Sequence, residues 1–275
     1  MTRIKYLYPH WGSESLRLND FFEVVNSNQF SGIEINIPEK ETFKAQFHKE
    51  LDLQRQKNTN FILVAQQVFG VAKETPQEYM QKVLKKLESL IDFQPTFINS
   101  HTGKDHYSFD DNCRIIEAIE NFSLNENIPV YHEIHRGRFT FHSATTLNYL
   151  EKFPNLKLVG DLSHWCVVSE SMLQDQDKIL HRVGSHIYHL HARVGFEQAP
   201  QVNNPFAPEW DSYLNQFITW WKQIIEIHYE TDAFTITPEF GPFPYMPQKP
   251  FSKEPLSIQA DVNIRLVNYL KEKIR

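Results

Sequence analysis

Eight short β-rich runs alternate with helical stretches from one end of the chain to the other, and this alternation restricts the fold more than any single residue does. The strands read as 3–8, 32–37, 61–68, 96–101, 129–134, 156–161, 186–192 and 234–239, each followed by a helical pattern. Repeated strand–helix units imply parallel strands joined by right-handed crossovers. Eight such units close most economically into a barrel, and 275 residues sit near the roughly 250 that a barrel of this kind needs. The expected fold is therefore α/β, a (β/α)8 TIM barrel filling residues 1–275 as one domain. An open doubly wound sheet is the alternative, but it gathers ligands at one switch point. Here the chemically loaded residues lie at the C-terminal ends of many strands, ends that a barrel brings to a single mouth.

Local signals agree with the alternation. Thr75, Pro76 and Glu78 supply an N-cap, a first-turn proline and a capping-box acid. After them Met80, Val83, Leu84, Leu87, Leu90 and Ile91 recur at helical spacing and predict one apolar face packed outside a sheet. The stretches 211–229 and 256–271 repeat the pattern, so a helix closes the chain. Pro-containing segments 196–209 and 240–255 follow the seventh and eighth strands, where barrel enzymes carry specificity loops.

Composition removes several function classes. A net charge of −6 and a pI near 6.1 give no basic footprint, so no nucleic-acid partner is expected. No apolar run approaches the roughly 20 residues of a membrane span, and the start lacks the pattern of a secretory signal. Cys113 and Cys166 read as free thiols of a reducing compartment, which makes the cytoplasm the expected location. There is no Gly-rich phosphate loop.

Four strand ends carry the residues of interest: YHEIHRGR (131–138), GDLSHW (160–165), YHLHARVG (188–195) and TPEFGP (237–242). Alternate residues of a strand share a face, so Tyr131, Glu133 and His135 point together, as do His189, His191 and Arg193, and Thr235, Thr237 and Glu239. A carboxylate on an inward barrel face is costly unless paired or metal-bound. Glu133, Asp161, His191 and Glu239 form an oxygen and imidazole set that suits one divalent ion, Mn²⁺, Mg²⁺, Co²⁺ or Zn²⁺, while the lack of Cys ligands argues against a structural zinc. His189 competes with His191 for the imidazole role, with His191 nearer the mouth. In INSHTG, Asn99 and His101 could touch substrate or a second metal. His10 and Trp11 could meet a sugar ring, the alternative being a core aromatic beside a rim histidine. Glu34 and Gln66 are strand-end polars without an assigned role. Lys104, Arg136 and Arg138 could meet a phosphate, but isolated loop cations are usually solvated.

With these motifs in order, the whole chain resembles the xylose-isomerase-like barrel superfamily of sugar and sugar-phosphate isomerases and epimerases, which also includes endonuclease IV. The resemblance rests on the Glu of HEIHR, the Asp and His of DLSH, the His of HLHAR and the Glu of PEFGP. In tagatose- and psicose-epimerase-like members the matching Glu, Asp, His and Glu bind one metal and the two glutamates move the proton. Carried over, this implies Glu133, Asp161, His191 and Glu239 as ligands and Glu133 and Glu239 as catalytic acid–base groups. It also implies His164 and Arg193 as substrate contacts, although Arg193 falls closer to the histidine than the family's arginine usually does. The function implied is proton abstraction beside a carbonyl of a small carbohydrate, giving an epimer or an aldose–ketose pair. A cyclitol or sugar-acid dehydratase begins with the same step. An endonuclease IV-like phosphodiesterase would need an Asp-x-His pair soon after the seventh strand, and here Asp211 is followed by Ser212 and Tyr213. A non-catalytic metal- or sugar-binding barrel is disfavoured by the intact glutamates.

Overall fold

The eight expected strands all form, and they pair in sequence order as parallel neighbours around a closed barrel in the computed structural model, which describes residues 3–231 and 233–274. They are β1 (Arg3–Pro9), β2 (Gly32–Ile35), β3 (Ile62–Gln67), β4 (Phe97–Ser100), β5 (Val130–Glu133), β6 (Leu158–Gly160), β7 (Ile187–Ala192) and β8 (Ala233–Pro238). Pairing of β1 with β8, Lys5 opposite Thr235, closes the ring. The helices are α1 (Leu18–Ser27), α2 (Glu41–Lys57), α3 (Pro76–Glu88), α4 (Phe109–Glu126), α5 (Ser143–Lys152), α6 (Leu162–Val168), α7 (Asp177–Gly184), α8 (Asp211–Ile227) and α9 (Gln259–Lys273). The fold is thus a (β/α)8 TIM barrel.

Most strands stop one or two residues short of the sequence expectation, because the residues beyond leave the ladder to line the mouth. Asp161 is the clearest case: expected at the end of β6, it N-caps α6. At α3 the capping box is present, with the Thr75 hydroxyl accepting from the Glu78 N–H and the Glu78 carboxylate accepting from the Thr75 N–H at 2.8 Å. This helix ends at Glu88; Ile91 falls in a 3₁₀ turn, Ile91–Phe93, that stops at Gln94 with φ 49°. The β6–β7 crossover is split into two short helices, α6 and α7, where one longer helix is usual.

Two apolar regions hold the barrel. Outside, residues such as Phe21, Phe47, Val83, Ile116, Trp165, Phe217 and Leu266 bury the helix faces against the strands. Inside, Leu7, Val64 and Phe97, with Ile62 and Tyr131 against them, plug the barrel below its mouth, and Phe97 stacks on Tyr131 at 4.3 Å. His189 lies next, 5.3 Å from the Phe97 ring, and marks the change to a polar layer. The plug closes one end, so the polar layer above it is reached from the C-terminal mouth.

Candidate metal centre

Four strand ends deliver one ligand atom each to a common point. Glu133 is the last residue of β5, Asp161 follows β6, His191 lies in β7 and Glu239 follows β8, its N–H donating to Ala192 C=O at 3.2 Å. Their ligand atoms all lie within 4.8 Å of one another, and all four residues are buried. Asp161 is fixed through Oδ1, which accepts from the Ser163 N–H at 3.1 Å and from the Ser163 hydroxyl.

His191 is oriented by its back side. Its Nε2 lies 2.9 Å from Glu34 Oε1, and because a carboxylate can only accept, Nε2 carries the proton. Nδ1 then faces the cluster, 2.9 Å from Glu239 Oε2 and 3.8 Å from Glu133 Oε1, buried and outside hydrogen-bonding geometry. An imidazole held by a carboxylate on one nitrogen and open on the other is the arrangement of a metal-binding histidine. Both nitrogens of His189 are engaged elsewhere, Nδ1 with Thr235 Oγ1 at 2.7 Å and Nε2 with Glu34 Oε2 at 3.1 Å. Of the two histidines, His191 is the one that reaches the other three candidates.

Glu34 proves to be the keystone of the layer beneath. Both its oxygens are buried, and besides the two histidines they accept from Gln66 Nε2 at 3.1 Å, Asn99 Nδ2 at 3.0 Å and Thr237 Oγ1 at 2.6 Å. Asn99 Nδ2 also donates to Glu133 Oε2 at 2.7 Å, tying the two layers together. A lone acid in a four-residue strand carries no signal of this role; the pairing of Glu34 with Gln66 as strand-end polars was the only hint.

Charge explains why the cluster wants a cation. Burial pushes Asp161 up, and the nearby Glu239 charge adds to it, so that even with Arg193 in contact its pKa stands at about 6. Burial also opposes ionisation of Glu133, but His101 and His191 outweigh it and hold the carboxyl well below its ordinary range. For His191 burial favours the neutral ring, yet Glu239, Glu34 and Glu133 together lift its pKa well above the usual value. The carboxylates thus draw positive charge onto His191, and a cation bound at Nδ1 would take the place of that proton. A divalent ion fits this donor set, and its chemistry matches oxygen-rich, cysteine-free ligation. Two further groupings occur among the described residues, Glu34 with His189 and His191, and His101 with Glu133 and His135. The first is already filled by hydrogen bonds to Glu34.

The expected substrate residues divide. Arg193 is buried and bridges the ligands, in contact with Asp161 Oδ2, 3.4 Å from Glu239 Oε2 and 2.9 Å from His164 Nε2. His164 lies beside Asp161, and His101 Nε2 is 3.0 Å from Glu133 Oε2. Trp11 meets the Tyr245 ring edge-on at 5.1 Å, and Tyr245 in turn lies under the Arg193 guanidinium at 4.7 Å. His10 is a correction: its ring packs against Phe21 of α1 and Phe43 of α2 at 4.9 and 5.9 Å, so it belongs to the outer core, where burial lowers its pKa. Proximity to Trp11 in sequence misled because adjacent residues leaving a strand point to opposite sides. Sequence reading missed Tyr245, which sits in the 240–255 segment without any motif around it. That segment is anchored to the 196–209 segment by Gln201, whose side chain pairs with both backbone groups of Gly241 at 2.8 and 3.1 Å.

Compared by sequence, the chain matches no family model and no curated relative. Compared by structure, it matches the probable 3-DHS dehydratase AsbF involved in petrobactin synthesis from Bacillus anthracis, with TM-score 0.62 and 18% identity over 98% of this chain and 99% of that one. A xylose isomerase domain containing protein from Salmonella typhimurium LT2 matches with TM-score 0.66 and 12% identity over 97% of each chain. The IolI protein with a bound zinc atom matches with TM-score 0.64 and 12% identity over 97% of this chain and 96% of that one. The likeness is one of fold: the chain shares the (β/α)8 barrel of these proteins.

Proposed function

We propose that this chain is a divalent-metal-dependent enzyme that moves a proton on carbon beside a carbonyl, as an isomerase or epimerase of a small carbohydrate. The observation that carries the reading is the meeting of Glu133, Asp161, His191 and Glu239 within 4.8 Å. Bound there, a divalent ion would polarise a substrate carbonyl or hydroxyl and lower the cost of charge developing on oxygen. Glu133 and Glu239 reach the same point from strands on different sides of the barrel, so one could take a proton from carbon while the other returns it. Arg193, in contact with Asp161 and 3.4 Å from Glu239, would hold both carboxylates in place. Trp11 and Tyr245 at the rim would shield the carbon acid from water. AsbF is named a probable dehydratase, and proton abstraction is the first step of that chemistry too, which makes dehydration of a sugar acid or cyclitol the second reading.

The test is incubation of the metal-loaded protein with ketoses, cyclitols and sugar acids in D₂O. Deuterium at the carbon beside the carbonyl, lost in both Glu133→Gln and Glu239→Gln, supports the proposal. Exchange together with loss of water selects the dehydratase, and absence of exchange across the panel with a fully loaded metal site rejects both.

A further inference from the structure

The loop after β5, His135-Arg136-Gly137-Arg138, carries two cations with no carboxylate within 4.0 Å among the described residues. Arg138 is half-buried, its Nη atoms reach only neutral acceptors, Tyr79 Oη at 3.5 Å and Phe69 C=O at 3.3 Å, and its Nε is buried without a partner. Arg136 is exposed and lies over the Tyr245 ring at 5.4 Å. Lys104, the third cation near this rim, is different: Glu74 neutralises it at 2.9 Å. A guanidinium half withdrawn from water normally has an anion beside it, so Arg138 lacks the partner that its surroundings call for.

The same loop contributes His135 to a row of imidazoles, His101, His135 and His164, with ring centroids 4.4 and 3.9 Å apart. Their proton positions follow from their partners. Arg193 can only donate, so His164 Nε2 accepts and its proton sits on Nδ1, which is buried without a partner. His135 Nδ1 donates to the Arg136 carbonyl, and its Nε2, 3.4 Å from Tyr245 Oη, is left to accept. The rim therefore carries two arginines without a carboxylate partner on the loop whose His135 joins imidazoles that contact the metal ligands.

We infer that Arg136 and Arg138, on the loop that follows His135, form a subsite for an anionic group on the substrate, a carboxylate or a phosphate. The assignment deepens the proposed function, since it rests on the substrate occupying the metal centre at Glu133, and it favours an acid or a phosphorylated sugar over a neutral one. Equilibrium binding tests it without turnover. D-Glucitol, D-gluconate and D-glucitol 6-phosphate, which share a polyol chain and differ in charge, are titrated calorimetrically into wild type, Arg136→Gln/Arg138→Gln and Arg138→Lys, with metal content measured on each sample. A charge-assisted contact to arginine corresponds to about ten-fold or more in affinity. The expected result is that one anion binds wild type at least about ten-fold tighter than glucitol, that the double variant loses this preference at unchanged metal content, and that Arg138→Lys recovers part of it. Whichever anion gains identifies carboxylate or phosphate. Equal affinities, no binding of either anion, or a preference that survives the double variant overturns the subsite. Failure of the metal reading registers separately, as missing metal or missing C–H exchange.

Discussion

Replacing Glu34 with glutamine keeps the shape of the side chain and removes its charge, which makes it a sharp probe of the polar layer under the metal centre. Glu34 accepts five contacts, three at Oε1 from Gln66, Asn99 and His191 and two at Oε2 from His189 and Thr237. A glutamine has only one acceptor oxygen, so its NH₂ must confront donors on one side. The cheaper choice puts it at Oε2, against His189 and Thr237, and the other three contacts fall from charge-assisted to neutral strength. At about 1.5 kcal/mol for each of two charge-assisted bonds lost, the cost is about 3 kcal/mol, which for a chain of this size lowers Tm by roughly 5 °C. Metal affinity should fall as well, by about 10- to 100-fold, because His191 loses the carboxylate that fixes its tautomer and raises its basicity. Thermal unfolding of the metal-free protein reads the first effect and chelator competition reads the second. A Glu34→Gln protein with unchanged Tm and metal affinity within about two-fold of wild type would refute the reasoning.

Three other expectations follow from particular contacts. Because the His191 pKa is raised well above its usual value and Asp161 stands at about 6, metal binding displaces their protons, so affinity rises with pH; calorimetry in buffers of differing ionisation heat should count more protons released at pH 5 than at pH 7.5. A pH-independent affinity between 5 and 7.5 would contradict it. Thr75→Ala removes the N-cap of α3 and should cost about 1 kcal/mol in denaturant unfolding, with metal affinity unchanged. Gly241→Ala would place a methyl 2.1 Å from the Trp11 ring, so Trp11 must leave Tyr245; the emission of the protein should shift and substrate KM rise while metal content stays constant.

The barrel was readable because eight periods of alternating pattern are redundant, and no single misread boundary changes the topology. Strand ends were overextended where β-prone residues such as Ile37 and Ile134 continue past the last ladder pairing into the outer apolar core. The two-helix β6–β7 crossover was not legible, since α6 and α7, at 7 and 8 residues, are too short to show a period. Of the site, the four ligand candidates stood out because each ends a strand inside a polar motif, whereas Glu34 and Tyr245 gain their roles only from partners far away in sequence. His10 carried the right residue type at the right strand end, and only the direction of its side chain, toward Phe21 and Phe43, separates it from the mouth.

The central claim is one ion held by Glu133, Asp161, His191 and Glu239. Anomalous diffraction at the zinc edge from crystals grown with one equivalent of Zn²⁺ tests it directly. The expected result is a single peak about 2.0–2.2 Å from a carboxylate oxygen of each acid and from His191 Nδ1, with Nε2 still on Glu34. A peak among His101, Glu133 and His135 instead, or ligation that omits Asp161 or Glu239, would contradict it.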